Sequence, residues 1–194
     1  MSALPQRIAV TGASGLIGSA LVGHLKSEGH TVQRLVRRLP VSPDEVQWDP
    51  ATGYVDTAAL AGVDAVIHLA GVGVGDKRWS KKYKAQILNS RLLGTEAIAK
   101  AVAEVKPQVF ISASAIGWYG ESGNRAVIES DRAGDDFLAA VCREWESAAD
   151  LAGDVRTVKL RTGLVLDPTG GALGKMLPIF RFGLGGKLSN GKQW

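Results

Sequence analysis

The chain has a single cysteine, Cys142, among 194 residues, which excludes an internal disulfide and suits a reducing compartment. It has no apolar stretch as long as a membrane span, and Met1 to Arg7 lacks the charged-then-apolar layout of a signal peptide. A cytoplasmic protein with no membrane partner is expected. Internal repeats and low-complexity tracts are absent. The net charge of +4 is mild. Basic residues gather at Arg34, Arg37 and Arg38 and again at Lys77, Arg78, Lys81, Lys82 and Lys84, without interleaved aromatics or a recognisable reading element, so no nucleic-acid partner is expected. No metal site is expected either.

What the chain does have is length enough for one well-cored domain, with the 45% hydrophobic and 22% charged content of an ordinary globular protein. Its organising stretch is Ile8-Ala9-Val10-Thr11-Gly12-Ala13-Ser14-Gly15-Leu16-Ile17-Gly18. A short apolar run reads as a buried parallel strand, and a helical pattern opens behind three glycines. Gly12 permits the tight turn off the strand, Gly15 lets a pyrophosphate approach the backbone, and Gly18 lets the helix lie close to the strand. The free amides and positive dipole end of the helix then face the phosphates. This context predicts dinucleotide binding.

The helix is predicted from about Gly15 to Glu28, with Leu16, Ile17, Ala20, Leu21 and Leu25 as its apolar stripe. A second strand, Thr31 to Val36, ends in Arg37-Arg38. An acidic residue about twenty positions past the glycines selects the ribose 2′-hydroxyl of NAD, whereas arginine suits the 2′-phosphate of NADP. No Asp or Glu lies between Glu28 and Asp44, so NADP(H) is favoured over NAD(H). Val41 to Gly62 reads as mostly connective, with a short strand at Val46 to Trp48. Ala65 to Leu69 is a buried strand ending in Ala70-Gly71, and Leu69, Ala70 and Gly71 should back the ribose and phosphates. His68 lies inside that strand and reads as a hydrogen-bonded core histidine. A long helix from about Trp79 to Val105 follows, with Gly94 in its middle, then a strand from Val109 to Ser114 and a polar, aromatic turn to Gly120. Asp135 is placed to cap another helix, and Arg156 to Leu160 is one more strand. The alternation implies an α/β fold: a Rossmann-type doubly wound parallel sheet with helices on both faces.

These residues resemble the extended short-chain dehydrogenase/reductase superfamily. Thr11 to Gly18 looks like its TGxxGxxG signature and His68-Leu69-Ala70-Gly71 like its fourth-strand motif. Trp48-Asp49-Pro50, Arg78-Trp79, Ser90-Arg91 with Gly94-Thr95, Trp145-Glu146 and the segment from Gly170-Gly171 to Gly185-Gly186 are similar to the atypical "epimerase family" subgroup of the NAD-dependent epimerase/dehydratase superfamily. The resemblance covers the whole chain and implies an NADP-binding protein with no firmly assigned reaction.

The standard catalytic half of that pattern is missing. Extended members use Tyr-x-x-x-Lys, yet none of Tyr54, Tyr83 and Tyr119 has a lysine four positions on. Counted back from Glu146, the pair falls on Leu138 and Cys142. The usual helix asparagine is Arg91. Ser112 and Ser114 remain near the catalytic-serine position, so a polar contact to substrate or nicotinamide survives, with Ser114 able to hold a substrate oxygen, and Tyr119 matches the Tyr-Gly after the fifth strand. The segment after Phe180 leads in the family into a further strand and a capping region, so a truncated chain is expected: residues 1–165 a dinucleotide-binding domain, 166–194 the start of an incomplete substrate-binding region.

The resulting expectation is an NADP(H)-binding oxidoreductase or epimerase-like enzyme acting on a small molecule, with a homo-oligomer compatible with the sequence. Gly12, Ser14, Gly15, Leu16 and Ile17 would hold the pyrophosphate and Arg37 and Arg38 the 2′-phosphate. Leu69, Ala70 and Gly71 would line the ribose side. Arg91 would reach cofactor or substrate, and Ser114 and Tyr119 would carry the chemistry. The competing reading is a nucleotide-sensing binding module that has lost its chemistry.

Overall fold

Ala9 and Val10 are wholly enclosed and Ile8 nearly so, because the strand that carries them is flanked by a neighbour on each side. This is β1 (Arg7–Thr11), at the centre of a seven-stranded sheet. A computed structural model describes residues 4–187 and 191. The other strands are β2 (Thr31–Val36), β3 (Glu45–Asp49), β4 (Tyr54–Val55), β5 (Ala65–His68), β6 (Val109–Ala115) and β7 (Thr157–Thr162), in the order β4-β3-β2-β1-β5-β6-β7. Every pairing is parallel except that of β3 with β4. From β1 the chain winds outward through β2 and β3, then returns to β5 and winds the other way. The carboxyl ends of β1, β2 and β5 therefore splay around a switch point, where doubly wound sheets bind ligands.

Alternate side chains of the central strands serve opposite faces. Ala9, Val66 and Phe110 pack with Ile98, Ala99 and Val102 of α2 (Lys81–Val105) and Ala149 of α3 (Phe137–Ala149). Ile8, Val10 and Ile67 pack with Leu21, Val22 and Leu25 of α1 (Leu16–Ser27). Helices thus cover both faces, as expected. The seam of α1 is shifted from the predicted stripe. Gly18 is buried where the helix meets the turn, so Leu21, Val22 and Leu25 face inward while Ile17 and Ala20 are exposed.

Other boundaries moved by small amounts. Asp136, not Asp135, caps α3, accepting from the Ala139 amide at 2.8 Å. Trp79 precedes α2, which Ser80 caps. The segment read as mostly connective carries β3 over the strand expected at Val46 to Trp48, and pairs it with the two-residue β4, too short to show alternation. A Cβ on Gly94 would meet His68 and Trp48 at an ordinary 3.7 Å, so close packing does not demand glycine there.

The chain divides into two compact units, Met1–Thr162 and Gly163–Trp194. The second holds β8 (Leu166–Asp167) and α4 (Gly171–Arg181), with Ile179, Phe180 and Phe182 exposed. Trp194, like residues 188–190, lies outside the described residues. No helix among the described residues is long and apolar enough to cross a membrane.

Candidate functional site

β1 delivers the chain to Gly12, whose φ of 68° is disfavoured for residues with a side chain. A Cβ there would also lie 2.9 Å from the Leu69 carbonyl carbon. The Gly15 amide donates to the Gly12 carbonyl at 3.0 Å and closes the turn. A Cβ on Gly18 would fall 2.1 Å from that same carbonyl oxygen, so α1 seats against the turn only through glycine. Gly15 differs: a Cβ there meets only the Gly12 oxygen, at 3.3 Å, and otherwise faces open space. Gly15 also begins α1 with no side-chain cap and no acidic residue in the first turn. The leading amides and the positive dipole end remain for an anionic ligand.

In front of this turn lies a cleft of about 960 Å³. It brings together Gly12, Ser14, Gly15, Arg37, Arg38, Leu69, Ala70 and Gly71, all singled out from the sequence, and adds Glu45, Trp48 and Ser90. Leu16 and Ile17 start α1 beside it without lining it. Arg91 lies behind Gly71: its Nη1 donates to the carbonyls of Val72 (3.0 Å) and Ile87 (3.1 Å), and its guanidinium sits 4.9 Å from the Trp145 ring centroid. Burial pushes its pKa down. The Leu69 and Ala70 amides both donate to the Thr11 hydroxyl oxygen, at 3.1 and 3.2 Å, which fixes the floor of the cleft.

The basic end of the cleft is richer than its sequence. No carboxylate stands near Arg37 and Arg38 along the chain, but the parallel register sets Glu45 opposite Arg34. Glu45 accepts from Arg38 Nη2 and Nη1 at 2.6 and 2.7 Å and from the Val41 amide at 2.9 Å. These bonds, led by Arg38, hold its carboxyl down to about 2. Arg34 is held by Asp44 at 3.0 and 3.1 Å. Arg37 is exposed, and among the described residues no hydrogen bond or ion pair involves it.

Ser114 and Tyr119 belong to a second cluster, at the carboxyl end of β6 and the turn beyond it. Ser114 is 1% exposed, and its hydroxyl donates to Glu146 Oε1 at 2.6 Å. Arg161, the register partner of Ser114 on β7, donates to both Glu146 oxygens at 2.8 and 2.9 Å. Its Nη1 donates to the Tyr119 phenol oxygen at 3.1 Å and to the Glu129 carbonyl at 3.0 Å. The guanidinium lies 3.9 Å from the Trp118 ring centroid, within cation–π range. Glu146 first, then Tyr119, raise the Arg161 pKa above its ordinary value. Leu138 and Cys142 face the same strand end: a Cβ on Gly117 would meet them at 3.4 and 3.7 Å, and burial raises the Cys142 thiol. Sequence reasoning missed Arg161 and used Glu146 only as a landmark. The signal that could have found them is their place at a parallel strand end and on the helix facing it.

A three-glycine turn opening onto the switch point of a doubly wound sheet is the Rossmann architecture. The chain belongs to the NAD-dependent epimerase/dehydratase family, whose model matches residues 8–139. It is 45% identical to an epimerase family protein of Mycobacterium leprae, over 96% of this chain and 62% of that protein. It is 38% identical to the bovine epimerase family protein SDR39U1, over 97% of this chain and 64% of the relative. Two crystal structures superpose with a TM-score of 0.84 each. One, 39% identical, is described as a nucleoside-diphosphate sugar epimerase from Corynebacterium glutamicum and covers 98% of this chain and 40% of its own. The other, 35% identical, is human SDR39U1 (isoform 2) with NADPH, covering 96% and 63%. This chain therefore spans less than two thirds of these relatives.

Proposed function

We propose that this chain is the nucleotide-binding part of an NADP(H)-dependent oxidoreductase or epimerase-like enzyme that acts on a small molecule in the cytoplasm. The observation that carries the reading is the cleft itself: a glycine turn and an uncapped helix at one end, Arg37 and Arg38 at the other. The human relative solved with NADPH supports it.

The fit is specific. Gly12, Ser14 and Gly15, with the amides at Leu16 and Ile17, take the pyrophosphate, and Arg37 and Arg38 take the 2′-phosphate. Leu69, Ala70 and Gly71 line the ribose side, where Arg91 braces the Gly71–Val72 backbone from behind. The bound nicotinamide supplies hydride chemistry. Tyr119 presents its phenol proton, because its oxygen already accepts from Arg161 and the O–H is left to point elsewhere. Ser114 acts as a positioning residue, holding Glu146 and through it Arg161.

Calorimetry with NADPH and NADH tests this. The expected result is tighter NADPH binding by about tenfold to a hundredfold, the scale of a charge-assisted phosphate contact. Equal affinities would remove the NADP preference, and no binding of either would remove the whole reading. Leu138 and Cys142 at the Tyr and Lys positions favour a second reading, a nucleotide sensor without chemistry. NADPH oxidation across a panel of carbonyl compounds separates the two.

A further inference from the structure

We infer that Glu45 is a positioning residue for cofactor selection: it holds Arg38 by one edge of the guanidinium so that the other edge is presented to a 2′-phosphate. The inference rests on the NADP(H) reading above. An acidic residue at the adenosine end of such a cleft has two other conceivable roles, to hydrogen-bond a ribose hydroxyl or to repel phosphate. The geometry opposes both.

The Glu45 side chain is 2% exposed, and its oxygens are occupied by Arg38, by Arg34 Nη2 at 3.2 Å and by the Val41 amide at 2.9 Å. A carboxylate saturated in this way has little acceptor capacity left for a ribose. Nor does it leave the cleft negative. Among the residues that line it, Arg34, Arg37 and Arg38 stand against Glu45 and Asp76, three cations against two anions.

The donors of Arg38 divide cleanly. Nη1 donates to Glu45 and to the Leu39 carbonyl, and Nη2 donates once to Glu45. A guanidinium has five N–H groups. The Nε hydrogen and the second Nη2 hydrogen lie along the remaining edge, for which no bond within the described residues is recorded. Such a pair is the fork that grips phosphate oxygens bidentately. The Arg38 side chain is 54% exposed and lines the cleft. Glu45 also ties down the connector that carries the arginines: it binds the Val41 amide, while its own amide donates to the Ser42 carbonyl at 3.0 Å. The phosphate receptor is thereby ordered before the ligand arrives, which lowers the entropic cost of binding.

The sign of one substitution decides between roles. In Glu45→Gln, a positioning role predicts NADPH binding weakened by about tenfold with NADH changed less than about twofold, because only the phosphate contact depends on Arg38. Adding Arg38→Gln to Glu45→Gln should then cost less than Arg38→Gln costs alone, since the two act as one unit. Tighter or unchanged NADPH binding in Glu45→Gln, or additive losses, would overturn the inference. Arg38→Lys gives an independent reading should Glu45→Gln not fold: lysine keeps the charge but lacks two edges, so NADPH affinity should fall while NADH affinity holds. Wild-type NADPH affinity in Arg38→Lys would equally overturn it. The wild-type preference for NADPH over NADH tests the underlying cofactor reading separately.

Discussion

The Thr11 hydroxyl and the His68 imidazole lie 2.8 Å apart, and the direction of their hydrogen bond is fixed by what surrounds it. The Thr11 oxygen already accepts from two backbone amides, so its single proton goes to His68 Nδ1. His68 is therefore neutral and carries its hydrogen on Nε2, which is buried and has no hydrogen-bond partner among the described residues.

A pH dependence of stability follows. Burial holds His68 down to about 3 in the folded protein, from an ordinary 6.5. Between those values the unfolded chain binds a proton that the folded chain refuses, so stability falls as pH falls from about 6.5, by up to about 1.4 kcal/mol per pH unit. Urea unfolding at pH 7 and about pH 5 should show the loss in wild type and a smaller one in His68→Gln. Equal losses would mean that other groups carry the acid sensitivity.

The glycines of the turn should separate by phenotype. Gly18→Ala puts a Cβ 2.1 Å from the Gly12 oxygen. It should destabilise the protein by about 3 kcal/mol or more. Gly15→Val should leave the melting temperature within a few degrees and abolish NADPH binding, because its side chain enters the space the pyrophosphate needs. Calorimetry and thermal melts on the two variants check this, and a folded Gly15→Val protein with unchanged NADPH affinity would make the turn purely structural.

The Arg161–Glu146 pair, with side chains 15% and 6% exposed, should behave as a buried ion pair. Arg161→Met leaves Glu146 without its counter-charge and should cost about 3–5 kcal/mol. Arg161→Met combined with Glu146→Leu should recover part of that loss, since both charges are then gone. Denaturant unfolding of wild type, single and double variants measures it. A double variant no more stable than the single would show that packing against Trp118, rather than charge, is what Arg161 supplies.

Period and punctuation made most of the fold legible. The β2 bounds agree with the pattern residue for residue, and the ends of β1, β5 and α2 shift only slightly, because continuous apolar runs in buried strands and a 25-residue helix write strong signals. The two-residue β4 was invisible for the opposite reason: alternation needs length. The cleft was legible where its members are contiguous, at Gly12 to Gly15 and Leu69 to Gly71. It was illegible where strand pairing creates the neighbour. Glu45 bonds Arg38 seven residues back across the β2–β3 connector, brought there by its pairing with Arg34, and in the second cluster Arg161 sits beside Ser114 only through the β6–β7 register.

The cleft takes its lining from residues 12 to 90, whereas the Ser114–Glu146–Arg161–Tyr119 cluster takes all its members from 114 onward. Lys106, in a left-handed conformation at the end of α2, marks the boundary between the two stretches. Under the proposed roles, nucleotide preference and proton handling would sit on separate contiguous segments. A recombination point near Lys106 would exchange one between relatives while leaving the other whole, and selection can retune either alone.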